Sequence, residues 1–444
     1  MIDIKGFVIR LVGSSKEKFA PSKSFTSNVF TLMTGTAIAQ AISFGVSPVL
    51  TRLYRPDEFG VFALFIGISS MVSVISAGRY EFAIVLPEKD EDAVNILILS
   101  VILVIGVSVA CLSILLLIRY FLVDSYVSGK FKDWLYYIPC YVVVAGVYQC
   151  FNLWNNRIKN FQYISLSKIT LGFFTAFISV VLGYYSVGAD GLIQGALLGQ
   201  ASATAVLCWY SFREKKINVK SIDVERMKGV ARRYSNFPKI NVFHALIDNL
   251  NSSGIIFVIV YYFGAAIVGY YSFMMRIIQA PMGLVSSSVM QVFYQKASET
   301  YMGGGDLTGL IKGLMKRLAV FALFPALILL TAGPLLFRVV FGSKWEIAGI
   351  YAQIMTPYMY LYFMAVPLTI IPFILNKQMQ SLLVSAIGNM IFFFSVIVGA
   401  TIYKDIKASL LIYSVSYILY FISYREWIIS IIYSSQCRNH PAIK

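Results

Sequence analysis

Twelve runs of about 20 predominantly apolar residues follow one another along almost the whole chain. A helix of that length crosses the hydrocarbon core of a bilayer, because it rises about 1.5 Å per residue. Inside a membrane such a run must satisfy its backbone hydrogen bonds internally, which leaves the chain few alternatives to a helix. The predicted spans, numbered in chain order, cover approximately 27–49, 59–77, 94–118, 134–153, 164–186, 191–211, 241–263, 266–290, 316–338, 350–374, 381–402 and 408–432.

The composition supports a helical membrane protein. Hydrophobic residues make up 58% of the chain and charged residues 13%, whereas a soluble domain carries about 25% charged residues. A membrane β-barrel would instead show segments of about ten residues with alternating polarity. The five Cys residues have no Cys-x-x-Cys spacing and the two His residues lie far apart, so no metal site, disulfide framework or cofactor is predicted.

The distribution of basic residues predicts the orientation of the chain in the membrane. If the amino terminus is cytoplasmic, internal segments carry 25 of the 37 Lys and Arg residues and external segments carry 9. By the positive-inside rule, both termini should then face the cytoplasm. The net charge of +16 is therefore mostly an orientation signal, and no basic patch with interleaved aromatic residues indicates nucleic acid.

One hydrophilic segment, residues 213–239, is longer and more charged than any other and separates the spans six from six. This symmetry suggests an internal repeat. The stretches LYRPDEFGVFALF (53–65) and YFGAAIVGYYSFM (262–274) superpose at an offset of 209, which aligns Gly60 with Gly269. Both stretches join the first span of their half to the second.

Two duplicated six-helix lobes with the same orientation would enclose a central cavity, an arrangement common in transporters. We therefore predict an all-α polytopic membrane protein with about twelve transmembrane helices in two lobes. The first segment could be either an interfacial amphipathic helix or a disordered basic tail. The predicted parts are an N-terminal segment (1–26), an N-terminal lobe (27–212), a basic cytoplasmic linker (213–240), a C-terminal lobe (241–433) and a cytoplasmic tail (434–444).

Polar residues recur at helical spacing within several spans. Because a polar group facing lipid is costly, we expect these faces to line the cavity. Hydrogen bonding between helices is the alternative, and it fits the Ser and Thr stripes better than the stripe with His244 and Asp248. Span 1 has Thr36, Gln40, Ser43 and Ser47, and span 7 has Asn241, His244, Asp248 and Asn251. From these faces we select as candidate substrate-binding residues Gln40, His244, Asp248 and Asn251.

Charges within the predicted spans give the remaining candidates. Asp248 and Arg276 lie about 12 and 15 Å from the ends of spans 7 and 8, near the midplane. An arginine there costs at least about 2.5–3.5 kcal/mol, so it must face protein or water. Arg276 could pair with Asp248, offer its planar guanidinium to an anionic substrate, or do each in turn. Lys168 in span 5 and Arg79 at the mouth of span 2 could be ligands or surface anchors.

An acidic triplet, Asp90, Glu91 and Asp92, precedes span 3. Asp-x-Asp binds metal in many nucleotide-sugar enzymes, but acidic residues also favour helix N-termini through capping and the helix dipole. We interpret the triplet as the start of a helix.

Several blocks of the sequence carry a family resemblance. They are LTRLYRPDEFGVFALF (50–65), GRYEFAIVLPEKDEDAVNIL (78–97), GADGLIQGALLGQ (188–200) and MRIIQAPMGLVSSSVMQVFYQKASE (275–299). Together with the twelve spans, these blocks resemble the polysaccharide-transporter family. That family comprises flippases of lipid-linked repeat units within the multidrug/oligosaccharidyl-lipid/polysaccharide exporter superfamily.

The resemblance implies export of an undecaprenyl-pyrophosphate-linked oligosaccharide across the bacterial inner membrane by alternating access, and not an enzyme. The glycan would serve O-antigen, lipopolysaccharide, capsule or exopolysaccharide assembly. The resemblance also implies basic residues in the central cavity, a role carried to Arg276. Partners would be the lipid-linked glycan and membrane lipids, with a polysaccharide polymerase and a chain-length regulator as candidates. The alternatives are a drug/cation antiporter, a peptidoglycan-precursor flippase and a membrane glycan polymerase.

Overall fold

Every long element is an α-helix in the part of the chain that the computed structural model describes, residues 23–121, 134–213, 217 and 221–439. No β-strand occurs among these residues. The long helices are α1 (Lys23–Leu53), α2 (Pro56–Ser76), α3 (Asp90–Phe121), α4 (Tyr137–Arg157), α5 (Phe161–Tyr184), α6 (Ala189–Arg213), α7 (Val242–Phe263), α8 (Ala265–Met302), α9 (Leu307–Phe341), α10 (Glu346–Ala365), α11 (Gln378–Val398) and α12 (Ile406–Asn439).

Each predicted span overlaps one of these helices. The span 350–374 continues past the end of α10 through the 3-10 turn Val366–Ile370 and the short helix Ile371–Ile374. Within the described residues, ten helical stretches are long and apolar enough to cross a membrane. The helices α4 and α8 are not among the ten: α4 carries amide side chains near its end, and Arg276 interrupts the apolar part of α8. The predicted class is confirmed, and the chain is a multi-pass, all-α membrane protein.

The acidic triplet forms the first turn of α3, as predicted. Its carboxylates interact favourably with the partial positive charge of the helix N-terminus. Asp90 accepts a hydrogen bond from Arg157 at 2.8 Å, and Glu91 pairs with Arg226. Arg226 belongs to a short helix, Val224–Arg233, here named the linker helix. Among the described residues, no group of three His, Cys, Asp or Glu side chains could hold a metal ion.

The starts of α2 and α8 touch through two glycines. A Cβ on Gly60 would overlap the carbonyl oxygen of Ala265, and a Cβ on Gly269 would overlap the carbonyl oxygen of Pro56. The contacts are reciprocal, since the offset of 209 aligns Pro56 with Ala265 and Gly60 with Gly269. Reciprocal contacts arise where two copies of a motif meet across a two-fold axis. This contact supports the predicted internal repeat.

The chain divides into two compact units. In the N-terminal unit, the described residues run from Lys23 to Val260 and include Gly264–Gly269. In the C-terminal unit, they comprise Tyr261–Phe263 and the chain from Tyr270 onward. Most of α7 thus belongs to the N-terminal unit. The predicted lobe boundary at residue 241 stays a prediction, and residues 1–22 and 440–444 of the predicted terminal segments lie outside the described residues.

Helices α5 and α6 of the N-terminal unit pack closely against each other. A Cβ on Gly195 or Gly199 of α6 would overlap the hydroxyl oxygen of Ser179 or Thr175 in α5, respectively. The Tyr54 hydroxyl donates a 2.7 Å hydrogen bond to the Ser179 carbonyl oxygen. Small residues allow this approach, which gains dispersion contacts where lipid supplies no hydrophobic driving force between helices.

An aromatic core that the sequence analysis did not anticipate holds the C-terminal unit. The ring of Tyr417 in α12 lies 4.6 Å from that of Tyr358 in α10 and 5.1 Å from that of Phe392 in α11. The signal was present in the sequence, because tyrosines recur on one face of α12 at i, i+4, i+7 and i+11: Tyr413, Tyr417, Tyr420 and Tyr424.

Candidate functional site

Lys168 belongs to α5, and its side chain reaches α1. Its side chain is half-buried, and its Nζ donates a 3.0 Å hydrogen bond to Thr36 Oγ1, while Thr36 donates to the Leu32 carbonyl oxygen at 2.8 Å. Within this unit, no carboxylate among the described residues pairs with Lys168. The structure thus directs this lysine towards α1, whereas the sequence pointed first to an anchor at the membrane surface.

Gln40 lies one helical turn beyond Thr36 on the same face of α1. Its Oε1 is buried and has no hydrogen-bond partner among the described residues. A buried polar atom without a partner typically costs about 1–3 kcal/mol. Lys168 therefore supplies a cation for an anionic group, whereas Gln40 Oε1 supplies an acceptor for a hydrogen-bond donor such as a hydroxyl group.

The polar residues of α7 separate onto two faces. His244 Nδ1 lies 3.0 Å from Asp248 Oδ2, and both side chains are exposed, Asp248 by 60%. On the other face, Asn249 Oδ1 accepts hydrogen bonds from Ser253 at 3.1 Å and from Ser70 of α2 at 3.2 Å. The face towards α2 thus serves helix packing, and the face with His244 and Asp248 remains open.

Two sequence predictions about α7 have different outcomes. Asn249 was not anticipated, because it falls outside the predicted stripe and only the position of α2 shows its role. Asn251 lies in α7, but its side chain is outside the described part of the structure, so its predicted role stays a prediction.

Arg276 lies in α8 and belongs to the C-terminal unit. Its side chain is exposed, and within that unit no described residue forms a hydrogen bond or ion pair with it. Its predicted pairing with Asp248 would join the two units and stays a prediction. Within its own unit, the Arg276 guanidinium is therefore available to a ligand.

Arg79 follows α2 in a left-handed backbone conformation, with φ of 62°. Its Nη1 lies 3.8 Å from Glu81 Oε1, and its guanidinium lies 5.1 Å from the centre of the Phe82 ring. Both contacts hold the side chain against the 3-10 turn Tyr80–Val85, so Arg79 has a structural role that Lys168 and Arg276 lack. Its predicted part in substrate binding stays a prediction.

Glu81 is a buried ionisable group that the candidate residues selected from the sequence do not include. It is 4% exposed, and its Oε2 has no hydrogen-bond partner among the described residues. Burial raises the pKa of Glu81 to about 6, and the nearby Arg79 opposes that effect only in part. A signal was present in the sequence, because this acid is followed at once by the apolar run Phe82–Leu86.

Solved structures define the class of fold. An inward-facing multidrug resistance MATE family transporter of the MOP superfamily is 14% identical with a TM-score of 0.63, covering 89% of this chain and 96% of that one. A variant of the MATE transporter VcmN from Vibrio cholerae is 11% identical with a TM-score of 0.56, covering 96% and 98%. At such identities the likeness establishes the fold alone, that of MATE transporters.

Sequence comparison establishes the family. The chain matches the family described as "Polysaccharide biosynthesis protein" over residues 49–349, about two thirds of its length. The protein therefore belongs to this polysaccharide biosynthesis family, within the MATE-like fold. A search of curated protein sequences finds no match.

Proposed function

We propose that this protein exports an undecaprenyl-pyrophosphate-linked oligosaccharide across the bacterial inner membrane by alternating access. Its family supports the glycan part of this proposal, and its MATE-like fold supports transport. The observation that carries the proposal concerns Lys168 and Arg276, one in a membrane helix of each unit. Neither has a carboxylate partner among the described residues of its own unit.

The chemistry of these cations fits a pyrophosphate. A charge within a membrane helix is costly, so an unpaired one indicates a water-filled cavity or an anionic ligand. The planar guanidinium of Arg276 can donate two parallel hydrogen bonds to phosphate oxygens. Lys168 supplies a compact charge next to the Thr36 hydroxyl. Gln40, one turn further along α1, supplies an amide oxygen that can accept from the hydroxyl groups of a sugar.

A drug/cation antiporter is the second candidate, because solved structures with this fold include multidrug transporters. Such a protein would need an unpaired carboxylate for a cationic cargo. The acid of α7, Asp248, instead has His244 at 3.0 Å. A peptidoglycan-precursor flippase would share the lipid pyrophosphate and differ only in the glycan, whereas a glycan polymerase would need a catalytic set on an external loop.

Reconstitution tests the proposal directly. Proteoliposomes containing the protein should move a fluorescent lipid-linked oligosaccharide to the opposite leaflet, measured by protection from a glycan-cleaving enzyme. Arg276→Ala and Lys168→Met should each lower this rate at least about tenfold. Transport of a fluorescent organic cation, with no movement of the glycan, would replace this proposal with the antiporter.

The proposed orientation places both termini and residues 213–239 in the cytoplasm. Export would deliver the glycan to a polysaccharide polymerase with its chain-length regulator. In a variant without native cysteines, Gly229→Cys should react with a membrane-impermeant thiol reagent only after the cytoplasmic side is opened. Gly229 suits this test because it is exposed and a Cβ there would meet no atom within 4 Å. Labelling of Gly229→Cys in intact cells would place residues 213–239 on the outer side of the membrane, which would overturn the proposed orientation.

A further inference from the structure

The linker helix is fixed to the N-terminal unit by specific bonds. The side chain of Asn95, fully buried in α3, donates to the Ser221 carbonyl oxygen at 2.9 Å and accepts from the Asp223 backbone N–H at 3.0 Å. Asp223 caps the helix by accepting from the N–H groups of Glu225 and Arg226. The position of this helix is therefore set by the core of the unit.

One face of the linker helix is packed and the opposite face is open. Val230 is 7% exposed within a hydrophobic cluster that includes Ile84 and Trp154, and the Tyr80 hydroxyl donates to the Ala231 carbonyl oxygen at 3.0 Å. The exposed basic residues of this helix are Lys228 and Arg232, which lie one turn apart on the side opposite Val230, and Arg233 at its last position. One exposed acid, Glu225, precedes Lys228 by three residues, so the charge of the exposed side chains from Glu225 onward remains positive even when Arg226 is counted with its partner Glu91. Because the packed face holds the backbone, the positions of these charges along the helix are fixed.

Exposed apolar side chains lie beside this basic face. Val224 at the start of the linker helix is 63% exposed. At the beginning of the apolar stretch Phe237–Phe263, which follows the linker helix in the chain, Ile240 is 61% and Phe243 65% exposed, next to the exposed Lys239. A basic face bordered by exposed apolar groups at the end of a membrane helix is typical of a segment at the headgroup level of a bilayer.

We propose that the linker helix is a binding site for the headgroups of anionic phospholipids, formed by Lys228, Arg232 and Arg233 with Lys239 at its edge. The phosphate of a lipid supplies the opposite charge, and its acyl chains cover Ile240 and Phe243. Arg226 is not part of the site, because Glu91 already neutralises it. The bound lipid tethers the linker helix, which connects the two halves of the chain, to one leaflet of the membrane. Lipid binding at this site does not depend on the exported glycan.

The test uses the full-length protein in neutral detergent and short-chain phosphatidylglycerol, with bound lipids counted by native mass spectrometry. The triple change Lys228→Glu, Arg232→Glu and Arg233→Glu should weaken binding at least about tenfold and reduce its salt dependence. Exchanging the same positions between lysine and arginine should preserve binding. A charge-matched control, Lys344→Glu, Lys404→Glu and Lys407→Glu, alters exposed residues of the C-terminal unit and should leave it unchanged.

Two further probes identify the ligand. Phosphatidylcholine should bind at least about tenfold more weakly, because its headgroup has no net charge. Inorganic phosphate should not displace phosphatidylglycerol, because it lacks acyl chains. Equal binding of phosphatidylglycerol by the wild type and a folded triple glutamate variant would overturn the proposal, as would displacement by phosphate alone. Since no transport is measured, failure here leaves the proposed export function untouched.

Discussion

Two regions of the N-terminal unit differ in packing. The contact between α2 and α8 is tightly packed, whereas the face of α7 that carries His244 and Asp248 is exposed. At Gly60 and Gly269 the backbones touch and no room remains for a methyl group. At His244 and Asp248, polar side chains are exposed, with His244 Nδ1 3.0 Å from Asp248 Oδ2. Packing in a membrane comes from close backbone approach, whereas exposed charges have to be satisfied by water or ligand. The comparison distinguishes residues that build the fold from residues available for function.

The largest effect is expected when a methyl group is added at the contact between α2 and α8. Gly60→Ala or Gly269→Ala would force α2 away from α8, because a backbone oxygen occupies the space. Overpacking typically costs about 1–3 kcal/mol, and two rigid backbones should place this cost at the upper end. We expect a large loss of folded protein and a lower melting temperature in detergent.

Two glycines in open surroundings provide matched controls for the packed site. A Cβ on Gly45 or Gly283 would meet no atom within 4 Å, so Gly45→Ala and Gly283→Ala should leave stability unchanged or slightly raised. Equal melting temperatures for all four variants would show that the α2 and α8 contact is not close enough to constrain the fold.

At the open sites, Arg276→Ala should act on export and not on folding. We expect the rate to fall at least about tenfold with a normal amount of protein in the membrane, because a charged contact to the pyrophosphate is lost. Arg276→Lys should retain partial activity, keeping the charge without the planar fork. Surface polysaccharide and protein level should be measured in the same strain.

The double variant Arg276→Ala with Asp248→Asn separates the two roles considered for Arg276. If the residues only formed an ion pair, a single change would leave the other charge without its partner, and the double change, which removes both charges, would restore both protein level and export. If Arg276 binds substrate, protein is present but export stays absent.

The buried Glu81 gives a pH-dependent effect of intermediate size. Its folded pKa of about 6 lies above the ordinary value of 4.5, so folding favours its protonated form. Its contribution to stability is therefore present below pH 4.5 and is lost as the pH rises towards about 6, a loss of about 2 kcal/mol. Glu81→Gln should raise the melting temperature at pH 7.5 and change it little at pH 4.5. A lower melting temperature at pH 7.5 would mean that the Arg79 contact outweighs burial.

The smallest effect is expected at the exposed start of α3. Asp90→Asn with Asp92→Asn should cost less than about 1 kcal/mol, since Asp90 is 79% exposed and asparagine can still cap a helix. Export should be nearly normal. Loss of export at normal protein level, with recovery on adding a divalent cation, would favour a metal site over a helix start.

The sequence by itself determined the helices and their approximate bounds. Apolar runs of about 20 residues have only one way to satisfy their backbone in a membrane, so local composition was sufficient. The start of α3 at Asp90 was also readable, because capping is local. The sequence aligned Gly60 with Gly269 as equivalent positions, but only the structure shows the close approach of the two segments.

Only the tertiary structure decided which polar groups have partners. Helical spacing placed Thr36 and Gln40 on one face, yet the position of α5 gives Thr36 a lysine and leaves Gln40 Oε1 without a partner in the described part of the chain. The same applies to Asn249, whose hydrogen bonds depend on α2, and to Glu81, whose pKa depends on burial. Partners distant in sequence and the exclusion of water depend on how helices pack, and a single periodic pattern does not encode either.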